Sequence, residues 1–202
     1  MKNKKINRMR KLLMFSGAML FAFMLQAQTT IKPTVGLNFT DWSKDDATGE
    51  FKAKAGWQIG GSVAFGKKFY VEPGLFYVGK STEFQTSTNI PGLDEFEANL
   101  NGIRVPVAIG LNLFGNEKTA FALRGFGGFS GFFVTGVGDD IDKDDVNTAQ
   151  WGVFAGAGID IWKIFLDLSY EWSLTNIQKD VSQIDFGKTR SVFINAGIRI
   201  NL

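Results

Sequence analysis

Residues 164–175 read IFLDLSYEWSLT, and two kinds of side chain alternate along this stretch. One set is Ile164, Leu166, Leu168, Tyr170, Trp172 and Leu174, and the set between them is Phe165, Asp167, Ser169, Glu171, Ser173 and Thr175. A period of two residues predicts a β-strand with two unlike faces. In a soluble sheet the carboxylates would face water and the aromatic rings would fill a core. Whether the two faces of this strand have that orientation depends on the rest of the sequence.

The first 27 residues differ in composition from everything that follows. Six basic residues and no acidic residue fall within 1–11, and the apolar run LLMFSGAMLFAFML then occupies 12–25. A basic segment, a short apolar segment and a small residue at Ala27 are typical of a secretory signal peptide. The apolar run is shorter than the ~20 residues that a transmembrane helix needs. We therefore expect a signal peptide over 1–27 and a mature domain over 28–202, with an uncleaved anchor as the alternative.

The leader also accounts for the basic balance of the whole chain. Six of the 22 Lys and Arg residues lie in it, which leaves 16 against 20 Asp and Glu and a net charge of −4 over 28–202. This balance gives no electrostatic support to nucleic-acid binding. The absence of cysteine excludes disulfides and thiolate metal sites. The 24 glycines and 20 phenylalanines, with only 4 prolines, favour a closed all-β structure.

About eight segments of the chain alternate in the same manner as 164–175. The others cover approximately 31–42, 55–66, 69–80, 101–114, 119–135, 150–162 and 189–201. Most of them reach the ~9–11 residues that a tilted transmembrane strand needs. Short turns near 67–68, 115–118 and 163 alternate with long polar stretches at 42–54, 81–100, 136–149 and 176–188. This order predicts an up-and-down antiparallel barrel with both termini at one end.

The two faces of the predicted strands differ in the size of their side chains. In 103–113, for example, Ile103, Val105, Val107, Ile109, Leu111 and Leu113 share one face, and Arg104, Ala108, Gly110 and Asn112 share the other. Small and polar residues suit the narrow interior of an eight-stranded barrel. The bulky apolar face then needs lipid, because the sequence predicts no helix that could cover it. We therefore expect Leu166, Leu168, Tyr170 and Trp172 to face lipid and Asp167 and Glu171 to lie inside.

Four sequence blocks carry a likeness to a known family. They are PTVGLNF at 33–39, YVEPGLFY at 70–77, IRVPVAIGLNL at 103–113 and GVFAGAGIDIW at 152–162. In this order and spacing the chain resembles the outer-membrane β-barrel domain family of PorT-like and "porin family" proteins, over essentially all of 28–202. The resemblance implies a closed, eight-stranded transmembrane β-barrel in the outer membrane of a diderm bacterium, with both termini periplasmic. One departure is Leu202, where such barrels commonly end in an aromatic residue.

Two prolines, Pro73 and Pro106, fall in the middle of predicted strands. Proline has no N–H to donate to a neighbouring strand, and a closed barrel has no free edge at which to place it. We expect β-bulges to accommodate both prolines.

Seven charged residues occupy the face of the strands that is predicted to line the interior. They are Glu72, Arg104, Arg124, Asp160, Asp167, Glu171 and Arg199. Four are acidic and three are basic, and unpaired charges in so confined a space are unfavourable. We expect them to pair as a structural polar network, and the alternative hypothesis is a proton or ion path.

Residues 136–149 contain the acidic run GDDIDKDDVN, with aspartates at 139, 140, 142, 144 and 145. Hard cations take oxygen ligands, but an EF-hand loop starting at Asp140 fails, because its sixth position is Asp145 and its twelfth is Trp151. We expect a solvated acidic loop, with no metal and no cofactor. Weak divalent-cation binding or bridging to lipopolysaccharide is the alternative.

The residue types also argue against an enzyme. The chain has no histidine, which excludes the usual Ser–His and Cys–His arrangements. Asp167 and Glu171 share one strand face but are roughly 13 Å apart, which is longer than the carboxylate separation in either glycosidase geometry. We expect no catalytic residues.

The function predicted from the sequence is a non-enzymatic outer-membrane barrel with a side-chain-filled lumen, whose loops serve surface interaction or envelope integrity. The longest predicted loop, 81–100, carries the candidate contact residues Phe84, Ile90, Leu93 and Phe96. The expected partners are outer-membrane lipid and, through the loops, lipopolysaccharide or envelope proteins, with the barrel itself monomeric. A narrow porin-like channel stays open as an alternative, although water-filled porins use ~16–18 strands. A PorT-like accessory role in protein secretion also stays open.

Overall fold

The computed structural model describes residues 28–42, 49–86, 96–115, 119–137, 148–175 and 189–202. The strands are β1 Thr29–Trp42, β2 Gly49–Gly66, β3 Phe69–Thr86, β4 Phe96–Phe114, β5 Phe121–Val137, β6 Ala149–Ile161, β7 Ile164–Ser173, β8 Thr189–Ile198 and β9 Ile200–Asn201. Each strand pairs antiparallel with the next, and β1 pairs with β2 on one side and with β8 and β9 on the other. The sheet is therefore closed, and the predicted eight-stranded up-and-down barrel is confirmed, with β8 and β9 forming one interrupted strand. Among the described residues, no helix is long and apolar enough to cross a membrane.

The connections differ between the two ends of the barrel. At the turn end, 67–68, 115–120 and 162–163 join β2 to β3, β4 to β5 and β6 to β7. At the loop end, the connections are 43–48, 87–95, 138–148 and 174–188. Gln28 and Leu202 both lie at the turn end, where the Leu202 N–H donates to the Thr29 carbonyl at 2.9 Å and the Gly66 N–H donates to the Gln28 carbonyl at 3.0 Å.

Four consecutive strands extend further toward the loop end than the sequence predicted. β2, β3, β4 and β5 contain 18, 18, 19 and 17 residues, whereas β7 and β8 contain 10 each. Most of 49–54, 81–86 and 96–100, which the sequence assigned to loops, is therefore paired strand. The alternation of apolar residues is weaker there because the paired strands continue beyond the membrane, where the outward face no longer has to be apolar.

The outward face of the barrel is apolar, and the inward face carries the buried charged and polar side chains together with aromatic rings. In β7, Leu168 is 55% exposed whereas the neighbouring Asp167 is 7% exposed. Leu166 and Trp172 are exposed in the same way, and Glu171 is buried. The orientation of 164–175 is thus the reverse of that in a soluble sheet, as the other strands predicted.

The interior is filled by aromatic rings that lie against glycines of the neighbouring strand. The facing pairs are Tyr70–Gly110, Phe76–Gly60, Phe126–Gly156 and Phe165–Gly197. An added Cβ at any of these glycines would overlap the ring. The inward aromatic rings thus occupy the space that a side chain would take at each facing glycine. This packing accounts for the abundance of both glycine and phenylalanine.

The two mid-strand prolines interrupt the ladder without shifting its register. Between β3 and β4, Pro73–Val107 and Phe76–Arg104 belong to one register, but the two pairs between them are missing, opposite Pro106. The expectation of bulges at these prolines is therefore wrong, because the register shifts in the described strands lie at 53/57, 101/102 and 112/114. A shift of one residue would turn the faces of a strand inside out, so a lost hydrogen bond is the smaller penalty.

A third proline explains why the last strand is interrupted. The pairs Ile31–Ile200 and Thr34–Gly197 are in one register, and the ladder is missing between them, beside Pro33. Because Pro33 has no N–H for this neighbour, the strand breaks at Arg199 into β8 and β9.

Exposed aromatic side chains gather near both ends of the apolar band. At the turn end these are Phe69, Phe114, Phe121 and Trp162, and toward the loop end they are Trp57, Tyr77, Phe133, Trp151 and Trp172. Some of the aromatic residues at the loop-end level contact each other. The ring centroids of Trp57 and Tyr77 are 5.6 Å apart, and those of Phe133 and Trp151 are 6.0 Å apart. Aromatic rings at these two levels are typical of the membrane interfaces of outer-membrane barrels.

Candidate functional site: the charged interior

Six charged side chains, three of each sign, meet inside the barrel toward the turn end. We call them the turn-side cluster: Lys32, Glu72, Arg124, Asp160, Asp167 and Arg199. Arg124 lies at its centre, where Nε donates to both Asp160 oxygens at 3.0 Å and Nη2 donates to Asp167 Oδ1 at 2.7 Å. Nη1 donates to the Tyr70 hydroxyl oxygen at 3.3 Å. The guanidinium therefore links β5 to β3, β6 and β7.

Lys32 and Arg199 complete the turn-side cluster. Lys32 Nζ donates to Glu72 Oε1 at 2.8 Å and to Asp167 Oδ2 at 3.2 Å. Arg199 Nη1 donates to Asp160 Oδ2 at 2.6 Å. Both aspartates are therefore shared by two cations. Apart from Arg124–Asp160, which joins the neighbouring strands β5 and β6, these ion pairs connect strands that are two positions apart in the sheet.

A glycine makes room for the centre of this cluster. Gly158 of β6 faces Arg124 on one side and Asp167 on the other. An added Cβ at Gly158 would overlap the Asp167 carboxylate and lie 2.9 Å from Arg124 Nη2. The ion pair between β5 and β7 passes over β6 because β6 carries no side chain at this position.

A second ion pair lies among aromatic rings. Arg104 donates from Nε and Nη2 to Glu171 Oε2 at 2.9 and 2.6 Å, and the Ser130 hydroxyl donates to the same oxygen at 2.7 Å. The Arg104 guanidinium carbon is 4.4 Å from the centroid of the Phe193 ring and 5.3 Å from that of Phe154. The charge is thus compensated by a carboxylate and covered by ring faces.

Two small polar cavities adjoin the ion pairs. One, of about 50 Å³, is lined by Lys32, Glu72 and Asp167 on one side and by Arg104 on another. The other, of about 20 Å³, lies toward the turn end and is lined by Lys32 and Glu72 as well as Arg124 and Arg199. Lys32 and Glu72 line both cavities and so lie between them. Each volume suits a few water molecules at most.

Comparison with known proteins decides the family. The family described as "Outer membrane protein beta-barrel domain" matches residues 26–179, which is most of the chain. The chain belongs to this family. No curated protein matches the chain.

The solved structures that are similar to this chain include other outer-membrane proteins. The outer membrane protein OprG from Pseudomonas aeruginosa is 12% identical with a TM-score of 0.51, and the match covers 87% of this chain and 95% of OprG. Ail from Yersinia pestis, solved with the heparin analogue sucrose octasulfate, is 15% identical with a TM-score of 0.47, covering 86% of this chain and 99% of Ail. At these identities the likeness to OprG shows the fold alone. As a member of the outer-membrane barrel family, the protein is an outer-membrane protein.

The structure places all seven predicted interior charges inside the barrel. Five of them, Glu72, Arg124, Asp160, Asp167 and Arg199, join the turn-side cluster, and Arg104 pairs with Glu171. No group of three or more His, Cys, Asp or Glu residues in the described part of the chain is placed to hold a metal ion.

The predicted loop contacts are placed differently. Phe84 and Phe96 lie on β3 and β4, where their backbones form the last pair of that ladder, rather than in a loop. Ile90, Leu93 and the acidic run at 139–145 lie outside the described residues.

Two lysines of the interior were missed by the sequence analysis. Lys32 alternates with Ile31, Pro33 and Val35, so the period of two already placed it on the inward face of β1. Lys80 continues the inward series of Glu72 and Phe76 on β3, but it adjoined a stretch that was assigned to a loop. With Lys32 included, the paired interior charges number four acids and four bases.

Proposed function

We propose that this protein is a non-enzymatic outer-membrane anchor that presents its loop end at the cell surface, for surface interaction or envelope integrity. The observation that carries the proposal is the turn-side cluster, whose ion pairs cross the interior between β1, β3, β5, β6, β7 and the β8–β9 strand. Among the described side chains held in this way, the two cavities at the ion pairs have volumes of about 50 and 20 Å³, room for a few water molecules each. A barrel whose interior is filled and cross-linked by ion pairs is a rigid support for the loops at its end.

The long strands support a role in presentation. β3 is eight residues longer than β7, which corresponds to roughly 25 Å of additional strand. The paired extensions of β2 to β5 form a rim on one side of the loop end, so the connections that follow them start at defined positions. Binding residues are commonly found on loops that a rigid scaffold positions in this way.

The proposed orientation puts the turn end in the periplasm and the loop end outside, because outer-membrane barrels have short periplasmic turns and longer external loops. Both termini are then periplasmic, and residues 1–27 act as the export signal. The proposed partners are outer-membrane lipid around the barrel, and lipopolysaccharide or envelope proteins at the loop end. The barrel is proposed to act as a monomer.

A narrow channel is the second candidate function, and the two polar cavities are the observation that favours it. Their charged linings would hold water, so water or protons would be the permeants rather than solutes. An accessory role in secretion has no feature among the described residues that favours it.

Site-specific labelling tests the proposed presentation. The chain contains no cysteine, so a single introduced cysteine reports only its own position. We expect a membrane-impermeant maleimide to label Thr88→Cys on intact cells, and to label Asn116→Cys only after the outer membrane is opened. Labelling of Asn116→Cys alone on intact cells would contradict the proposed orientation.

Replacing the connection 87–95 by a short Gly-Ser linker separates the anchor from what it presents. We expect the variant to fold, as judged by heat-modifiable migration in gels, and to lose the surface or envelope phenotype of its host strain. A linker variant that folds and keeps this phenotype would refute the role of the loop.

A further inference from the structure

The two interior cavities differ in the charge of the side chains that line them. The charged residues of the larger cavity are two cations and two carboxylates, Lys32, Arg104, Glu72 and Asp167. Those of the smaller cavity are four cations and one carboxylate, Lys32, Lys67, Arg124, Arg199 and Glu72. A cavity lined mostly by one sign of charge concentrates ions of the opposite sign. The smaller cavity therefore favours an anion, and the larger one has no such preference.

The carboxylates around the smaller cavity do not offset its cations completely. The turn-side cluster holds three charges of each sign, and Lys67 is a member of the lining but not of the cluster. The cluster and Lys67 together therefore amount to four cations and three carboxylates, a net charge of +1. One monovalent anion would bring this group of residues to neutrality.

The turn that carries Lys67 is held against β4. The Asn112 N–H donates to the Lys68 carbonyl at 2.9 Å, and Asn112 Nδ2 donates to the Lys67 carbonyl. Asn112 itself lines the smaller cavity, together with Gly66 and Lys67. Because Lys67 is exposed, the cavity adjoins the solvent at the turn end, and an ion would enter from there.

Two further groups of the lining retain hydrogen-bond donors for a ligand. In the described part of the chain the Arg199 side chain makes one hydrogen bond, from Nη1 to Asp160 Oδ2, and a guanidinium carries five N–H donors. The Tyr70 hydroxyl oxygen accepts a hydrogen bond from Arg124 Nη1, so its own O–H remains to donate. Both Tyr70 and Arg199 line the smaller cavity, so an ion in it lies within reach of both side chains.

From this lining we propose that the smaller cavity binds one small monovalent anion, such as chloride, which Lys67, Tyr70 and Arg199 recognise. Their ammonium, hydroxyl and guanidinium groups all donate, and hydrogen bonds to an ion are stronger than those between neutral groups. The cavity volume of about 20 Å³ has room for a particle close to the size of one water molecule, which admits a monatomic anion and excludes a phosphate group. The one carboxylate of the lining, Glu72, already accepts a hydrogen bond from Lys32. This site is independent of the function proposed for the loop end.

The stability of the barrel as a function of chloride concentration tests the site. Urea unfolding in lipid vesicles is measured while sodium gluconate is replaced by sodium chloride at constant ionic strength. A ligand that binds only the folded state raises the unfolding midpoint once its concentration exceeds the dissociation constant. We expect chloride to raise the midpoint of the wild type with the concentration dependence of a single site, and bromide to replace chloride. Tyr70→Phe should weaken the chloride affinity about tenfold or more, because it removes a donor to an ion.

Two neighbouring lysines supply a matched control. Lys67→Gln removes a cation of the lining and should weaken the chloride affinity roughly threefold. Lys68→Gln removes a cation that is also exposed but does not line the cavity, and it should leave the affinity unchanged. Because Lys67 lies on an exposed turn, this pair tests the site even if Tyr70→Phe does not fold, which heat-modifiable migration reports. A wild-type midpoint that is the same in chloride and in gluconate, or equal chloride affinities of folded Lys67→Gln and Lys68→Gln, would overturn the proposal.

Discussion

At the scale of single residues, the interior is organised by charges that share partners. Glu171 Oε2 accepts hydrogen bonds from Arg104 and Ser130, and both members of the ion pair are almost fully buried. Removing one member of a buried pair leaves the other charge uncompensated. The stability lost when one member is removed therefore reflects the uncompensated charge of its partner rather than the intrinsic strength of the pair.

We predict that Arg104→Met lowers the free energy of unfolding by about 3–5 kcal/mol, measured by urea unfolding in lipid vesicles. The double variant Arg104→Met/Glu171→Leu should recover most of this loss, because no charge is then stranded. Lys163→Met, at an exposed turn, should change stability by less than about 0.5 kcal/mol. A single variant as stable as the wild type would show that the pair does not brace the barrel.

The sequence predicted which charged residues lie inside, but not which of them meet. Alternation along β7 places Asp167 and Glu171 on the inward face, and the same rule applied to β1 would have found Lys32. The partners depend on the register and tilt of the closed sheet. Arg124 reaches Asp160 on the neighbouring strand and Asp167 two strands away, and no pattern within either strand contains that information.

At the scale of strands, pairs of glycine and aromatic residues determine how closely the interior packs. A Cβ at Gly156 would overlap the Leu168 carbonyl oxygen and the Phe126 ring, whereas a Cβ at Gly125 would lie at ordinary contact distance, 3.5 Å, from Leu113. Gly156 lies on the inward face with Phe154 and Asp160, whereas Gly125 lies on the outward face with Phe121 and Phe129, and only Gly156 lacks space for a Cβ.

We predict that Gly156→Ala destabilises the barrel by about 1–3 kcal/mol, the usual penalty of overpacking. Gly125→Ala on β5 should be neutral or slightly stabilising, because alanine restricts the unfolded chain more than glycine does. Urea unfolding in the same vesicles compares them. Equal effects of the two substitutions would contradict the proposed packing of rings on glycines.

The number and order of the strands followed from the sequence, because lipid imposes a period of two on every segment that crosses the membrane. Where lipid is absent the pattern weakens, so the extensions of β3 to Thr86 and of β4 from Phe96 were assigned to loops.

The bulges expected at the prolines were wrong for another reason. The sequence shows that Pro106 lacks an N–H, but only the closed sheet shows that its neighbour keeps the register and leaves a gap.

At the scale of the whole molecule, the pattern of faces specifies the environment better than the activity. An apolar exterior, exposed aromatic residues at two levels and charged groups buried in the interior are typical of an outer-membrane barrel, and the family match agrees. The proposed role depends on the connections at the loop end, such as 87–95, for which periodicity makes no statement. The interior nevertheless restricts the choice, because its ion pairs connect strands that are two positions apart in the sheet.

Conductance in planar lipid bilayers tests the central claim, that the interior is closed by its own side chains, most directly. We predict that the purified wild-type barrel, inserted at known density and checked for folding by heat-modifiable migration, shows no stable openings in molar salt. Lys32→Met combined with Arg124→Met should lower stability. Reproducible openings of the wild type, with a size cut-off for solutes, would contradict the account and establish a channel.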